Sequence, residues 1–233
     1  ILEEQIDLTK LQEQYVRYTE NQYDSLDYSS LKKEAENNLF AMIVFADKCK
    51  NGMAYDDAIA YYNNALDILN KTDLFRQIRY DSLCNLAETY MLLKKYKQAF
   101  NTYSNAYEIK EEHLLNDNNY KAERALANCY ENGLGCEPDL KKADFFKAKY
   151  LVYNPAECLE EAEKYYKQGK KIDALKWLEL AKEKLHNHND VTFNLLKVLC
   201  WSNDENEIIV EAVNYCEKID CEAKEAEKEW KYK

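Results

Sequence analysis

Apolar residues recur along this chain at intervals of three and four, which is the period of a helix with one buried face. In Leu83-Cys-Asn-Leu86-Ala87-Glu-Thr-Tyr90 the apolar stripe is followed by a short polar break. A second stripe then runs Tyr96-Lys-Gln-Ala99-Phe-Asn-Thr-Tyr103-Ser-Asn-Ala106. The same arrangement stands one unit earlier, Phe45-Ala46-Asp-Lys-Cys49 before Tyr55-Asp-Asp-Ala58-Ile-Ala-Tyr-Tyr62-Asn-Asn-Ala65. Each stripe pair predicts two helices joined by a tight turn, with a small alanine where they cross. Aligned on the alanine in the first turn of each second helix, the units fall at Ala58, Ala99, Ala143, Ala174 and Ala212, with steps of 41, 44, 31 and 38 residues.

This pattern resembles the tetratricopeptide (TPR) family, whose units repeat at about 34 residues. The extra length between the first two units falls at 73–79, where it lengthens the adjoining helices. The third unit, Tyr130-Glu-Asn-Gly133-Leu-Gly135-Cys-Glu-Pro-Asp139-Leu-Lys-Lys142-Ala143, resembles the Sel-one-like relative of that family through Tyr-x-x-Gly-x-Gly followed by Asp and Lys-Ala. Two glycines after a helix predict left-handed backbone at the turn. Tyr150 departs from the small residue usual in that family, and Lys171 from a large aromatic in the fourth unit, which opens at Pro155. The fifth unit, around Cys200-Trp201 and Ala212, is only apolar-periodic. The resemblance implies an all-α, right-handed α-solenoid of antiparallel helix pairs, a TPR and Sel-one-like superhelix. Three segments follow: N-terminal capping helices over 1–37, the repeat array over 38–220, and a charged helix end over 221–233. In the first, Leu8, Leu11, Tyr15 and Tyr18 form an amphipathic face, read as a cap over the first repeat with the second helix of a truncated upstream repeat as the alternative, and Ser29 or Ser30 is the expected cap of a helix starting near Leu31.

Composition agrees with long helices: 233 residues include only 4 glycines and 2 prolines. A net charge of −11 disfavours nucleic acid, which rewards a basic footprint. No apolar run approaches the roughly 20 residues of a membrane span. The eight cysteines, at 49, 84, 129, 136, 158, 200, 216 and 221, lie scattered at apolar positions. That distribution predicts buried free thiols in a reducing, cytoplasmic compartment, although the chain begins at Ile1 and a leader or upstream domain could have been removed.

Candidate chemistry is sparse. His186-Asn-His188-Asn-Asp190 reads as an exposed turn rather than a metal site, and neither Cys129 with Cys136 nor Cys216 with Cys221 has zinc-knuckle spacing. No nucleophile, phosphate-loop or dinucleotide signature is present. The expectation is therefore a non-enzymatic chain with no metal and no cofactor. In the TPR family the first helices line a concave groove, and the resemblance places Asp47, Glu88, Asn128 and Glu163 on it, with Trp201 in the last unit. Four residues earlier the same face carries Ile43, Cys84, Arg124, Leu159 and Lys197. An acidic ladder beside apolar residues implies an adaptor or scaffold that holds a basic, or mixed basic and apolar, protein or peptide segment. The Lys and Asn of a two-carboxylate clamp are missing at Ile43, Asp47, Cys84 and Glu88. A rival reading is a peptide-sensing regulatory domain of a larger or multi-component regulator.

Overall fold

The computed structural model describes residues 7–113, 120–151 and 155–182, and every regular element among them is helical. The helices are α1 (Leu8–Thr19), α2 (Tyr28–Glu34), α3 (Leu39–Asn51), α4 (Tyr55–Leu69), α5 (Arg76–Leu92), α6 (Tyr96–His113), α7 (Lys121–Asn132), α8 (Leu140–Leu151), α9 (Pro155–Lys167) and α10 (Lys171–Lys182). None of them is long and apolar enough to cross a membrane. The chain divides into two compact units, Ile1–Lys147 and Ala148–Lys233, with the boundary inside α8.

In the first unit consecutive helices pack against one another from α2 to α7, and α3 also touches α1 and α5. α3 is apolar all round, with Leu39 to Ala46 buried without interruption, as befits a helix enclosed by neighbours. The aligned alanines are buried. Ala58, Ala99 and Ala143 are 0% exposed, as is Ala174 in the second unit, so four of the five aligned positions are buried. Ala212 lies outside the described residues, as do the fifth unit and the charged end over 221–233.

The N-terminal helix packs on the first pair through rings. Tyr15 and Tyr18 meet Phe40 with centroids 5.5 and 5.3 Å apart, and Phe75 closes on Phe40 edge-on at 5.2 Å. Leu11 is buried, while Leu8 is exposed. α2 begins earlier than expected because its cap is Asp27, neither Ser29 nor Ser30. The Asp27 carboxylate accepts from the backbone N–H of Ser29 and Ser30 at 2.9 and 3.0 Å and from both serine hydroxyls. These bonds hold its carboxyl well below the usual range. The added length over 73–79 is divided between a turn at 73–75 and the first turn of α5.

One cap recurs. After α1, α3, α5, α7 and α9, the residues Asn21, Met53, Lys94, Gly133 and Gly169 have φ of 55, 64, 56, 67 and 74°. In each case the next backbone N–H returns to a carbonyl five residues back: Gln22 to Arg17, Ala54 to Cys49, Lys95 to Tyr90, Leu134 to Cys129 and Lys170 to Tyr165, all within 2.8–3.0 Å. This is the Schellman closure, which satisfies helix-end carbonyls that would otherwise lack donors. The turn after α7 needs a second glycine. Gly135 has φ of +79°, and a Cβ there would lie 2.2 Å from the Tyr96 carbonyl oxygen. The loop thus rests directly on the backbone that opens α6. Asp139 caps α8 by accepting from the N–H of Lys141 and Lys142 at 3.0 and 3.1 Å.

Two lysines are buried in this unit. Lys110 on α6 meets Glu123 on α7 at 2.6 Å, with side chains 8% and 2% exposed. Its ammonium also lies 4.3 Å from the centroid of the Tyr120 ring. Lys147 reaches Glu131 at 3.1 Å. In the second unit α9 and α10 pack around Leu151, Cys158, Leu159, Ala162, Trp177 and Leu178. Pro155 occupies the first position of α9, where no N–H is needed.

Candidate functional site

The C-terminal halves of α3 and α5 carry two of the polar residues singled out by the repeat pattern, Asp47 half-buried and Glu88 exposed. Asp47 stands on the third turn of α3, and Glu88 one turn from the end of α5. Asp47 accepts hydrogen bonds from the Tyr62 hydroxyl of α4 and, at 3.0 Å, from Asn85 Nδ2 of α5. One turn further along, Lys50 Nζ donates to Glu88 Oε2 at 2.7 Å. Both α3-to-α5 links span 38 positions, so the two helices run side by side in one register. The result is a strip with two rungs, Asp47 to Asn85 and Lys50 to Glu88.

Electrostatics differ between the rungs. Burial raises the Asp47 carboxyl above its ordinary range, against the opposing pull of Tyr62, Lys50 and Asn85. Desolvation, and next the Asp47 charge, push the Tyr62 phenol strongly upward, so it remains a donor. Glu88 stays open, its side chain 55% exposed. Beside Asp47 is a cleft of about 460 Å³ reached past Tyr18, Tyr23, Asp24, Val44 and Lys48. Lys48 ties its rim together by donating to the carbonyls of Asp24 and Leu26 at 3.3 and 3.2 Å. Burial and the Asp47 charge also raise the Tyr18 phenol.

The remaining expected residues are placed differently. Ile43 is 3% exposed and belongs to the core beneath the strip, as does Cys84 at 2%. Asn128 is exposed on α7 and accepts from Asn132 Nδ2 at 2.8 Å through its own side chain. Arg124 is exposed one turn before it. In the second unit Leu159 is buried at 8%, and Glu163 is half-buried and paired with Lys167 at 2.6 Å. Trp201 and Lys197 lie outside the described residues, as do His186, His188 and Asp190. Asp47 and Glu88 are therefore the two that the structure brings onto one strip.

Tyr62, Asn85 and Lys50 were not among the expected site residues. Their signal was available in part: Asn85 is one helical turn before Glu88, and Lys50 one turn after Asp47, so each shares a helix face with one acid while it binds the other across the strip. Among the described residues no cluster of three or more His, Cys, Asp or Glu is placed to hold a metal. Cys49, Cys84, Cys129, Cys136 and Cys158 are free thiols. Compared with known proteins, the chain matches no family model, no curated protein and no solved structure.

Proposed function

We propose that this chain is a non-enzymatic interaction module of the tetratricopeptide type with one Sel-one-like unit, its pairs winding as a right-handed solenoid. It binds a protein or peptide segment along the face formed by the first helices. The observation that carries this reading is the strip on α3 and α5, where two helices stand in register, Glu88 is presented to solvent and a cleft opens at Asp47. Such a surface suits a segment with basic groups for Glu88 and for the rim of the Asp47 cleft, and a backbone for the amides. Ile43 and Leu159 act from beneath, by fixing the helices that carry Asp47 and Glu163, while Asn128 extends the polar contacts along α7. Exposed charge pairs contribute only about 0–1 kcal/mol each, so affinity comes from several contacts together. Association slows as salt rises, because screening at about 0.15 M acts beyond roughly 8 Å.

The test is a pull-down with the intact chain followed by peptide mapping of what is captured. The mapped peptide is then measured against Glu88→Lys with Glu163→Lys, and against a control reversing Glu222 and Glu225. A loss confined to the first variant, with an unchanged melting temperature, supports the reading. Equal loss in both reduces the interaction to net charge. Full binding by a folded first variant moves the surface elsewhere.

A further inference from the structure

A second cleft, of about 590 Å³, lies between α1 and α2 at the other end of the α3 pair. Its walls are two helical stripes: Lys10, Glu13, Gln14 and Arg17 at one-turn intervals on α1, facing Ser30, Lys33 and Glu34 on α2. Part of this lining is already committed. Arg17 pairs with Glu34 at 3.5 Å, and Asn38 donates to the Tyr23 hydroxyl at 2.8 Å while its own oxygen caps α3.

Beyond these, one buried acceptor and three charged groups line the cleft. Gln14 is 8% exposed, yet its side-chain oxygen has no hydrogen-bond partner. A buried acceptor left open carries a desolvation cost, which native proteins rarely keep without a use. The ammonium groups of Lys10 and Lys33 and the carboxylate of Glu13 make no ion pair among the described residues, and all three side chains line the same cleft. Two positive groups, one negative group and one open acceptor are the complement of two carboxylates and one ammonium.

We infer that the α1–α2 cleft is a binding site for a free acidic amino acid, its two carboxylates held by Lys10 and Lys33 and its ammonium by Glu13 and the Gln14 side-chain oxygen. The committed pair of Arg17 and Glu34 lies beside Asn38, whose Nδ2 donates to Glu34 Oε2 at 3.4 Å. This site is separate from the α3–α5 strip, and its existence does not depend on the interaction module proposed above.

The experiment is calorimetric titration of the full chain with L-glutamate and L-aspartate, and with glutarate, which keeps both carboxylates and lacks the ammonium. Saturable binding is expected for one of the two amino acids at about 1 mM or tighter. Glutarate is expected to bind at least about tenfold more weakly, since it leaves the Gln14 oxygen unpaired. Lys10→Ala with Lys33→Ala changes two exposed residues, so the fold survives, and affinity should fall by about tenfold or more. Gln14→Met should weaken the amino acid and raise the melting temperature of the free chain, a combination that a purely structural glutamine would not give. The inference is overturned by any of three results: no saturation with either amino acid, equal affinity for glutarate, or undiminished affinity in the folded double-lysine variant.

Discussion

Tyr62 and Asn85 convert Asp47 from a surface charge into part of the packing between three helices, and the energetic weight of that change can be measured. Hydrogen bonds to charged groups contribute about 1.5–3 kcal/mol, so Tyr62→Phe should lower stability by roughly that amount in urea unfolding. Asn85→Ala should cost less alone, and the two together less than their sum, because they share one carboxylate. The buried thiols give a pH signature. Burial lifts Cys129 and Cys158 from an ordinary 9.0 to about 11. Their folded values exceed their unfolded ones, so the stabilisation is complete below pH 9.0 and is lost as pH rises towards about 11. Replacing both by alanine should flatten that alkaline decline in melting temperature, whatever the cavities cost at pH 7. Under denaturing, non-reducing conditions all eight cysteines of the chain should titrate as thiols.

At the scale of elements, the buried alanines and the closing turns do most to define the pairs. Ala99 is 0% exposed, and Ala99→Glu would drive a carboxylate between helices, with an expected loss of several kcal/mol from overpacking and desolvation. Gly133→Val should cost on the order of 1–3 kcal/mol at its positive φ. Gly135→Ala should cost more, since the new methyl would meet the Tyr96 backbone, which has no rotamer to yield. The opposite sign is expected at Lys94. It holds φ of 56° with a side chain, so Lys94→Gly should raise the melting temperature. These positions also mark how far local pattern carries. Gly133 and Gly135 announced left-handed turns in the sequence, and four alanines announced buried positions. Met53 and Lys94 announced nothing, and Gly52, the residue type suited to the role, has an ordinary φ of −83°. The cap is fixed by where hydrogen bonds to carbonyls five residues back can close, and the residue found there must conform.

For the whole molecule, the all-helical architecture was legible because periodicity and small-residue spacing are local properties. The candidate site was legible in part. Asp47 and Glu88 were identified as sharing a face, but whether an acid meets solvent or a neighbour depends on the register between helices 38 positions apart, which no local pattern encodes. The boundary within α8 was equally hidden, since Phe146 packs its ring on Tyr130 in one unit while Leu151 joins the core of the other. The buried pair of Lys110 and Glu123 carries a further consequence, for substitution. Either residue replaced alone breaks a buried ion pair, at about 3–5 kcal/mol, whereas an apolar pair of similar volume can be neutral or better. Lys110→Met and Glu123→Leu should each unfold readily and their combination should not. Exchange of this pair for apolar residues therefore passes through a destabilised single replacement whichever residue changes first, which makes the two positions a coupled unit.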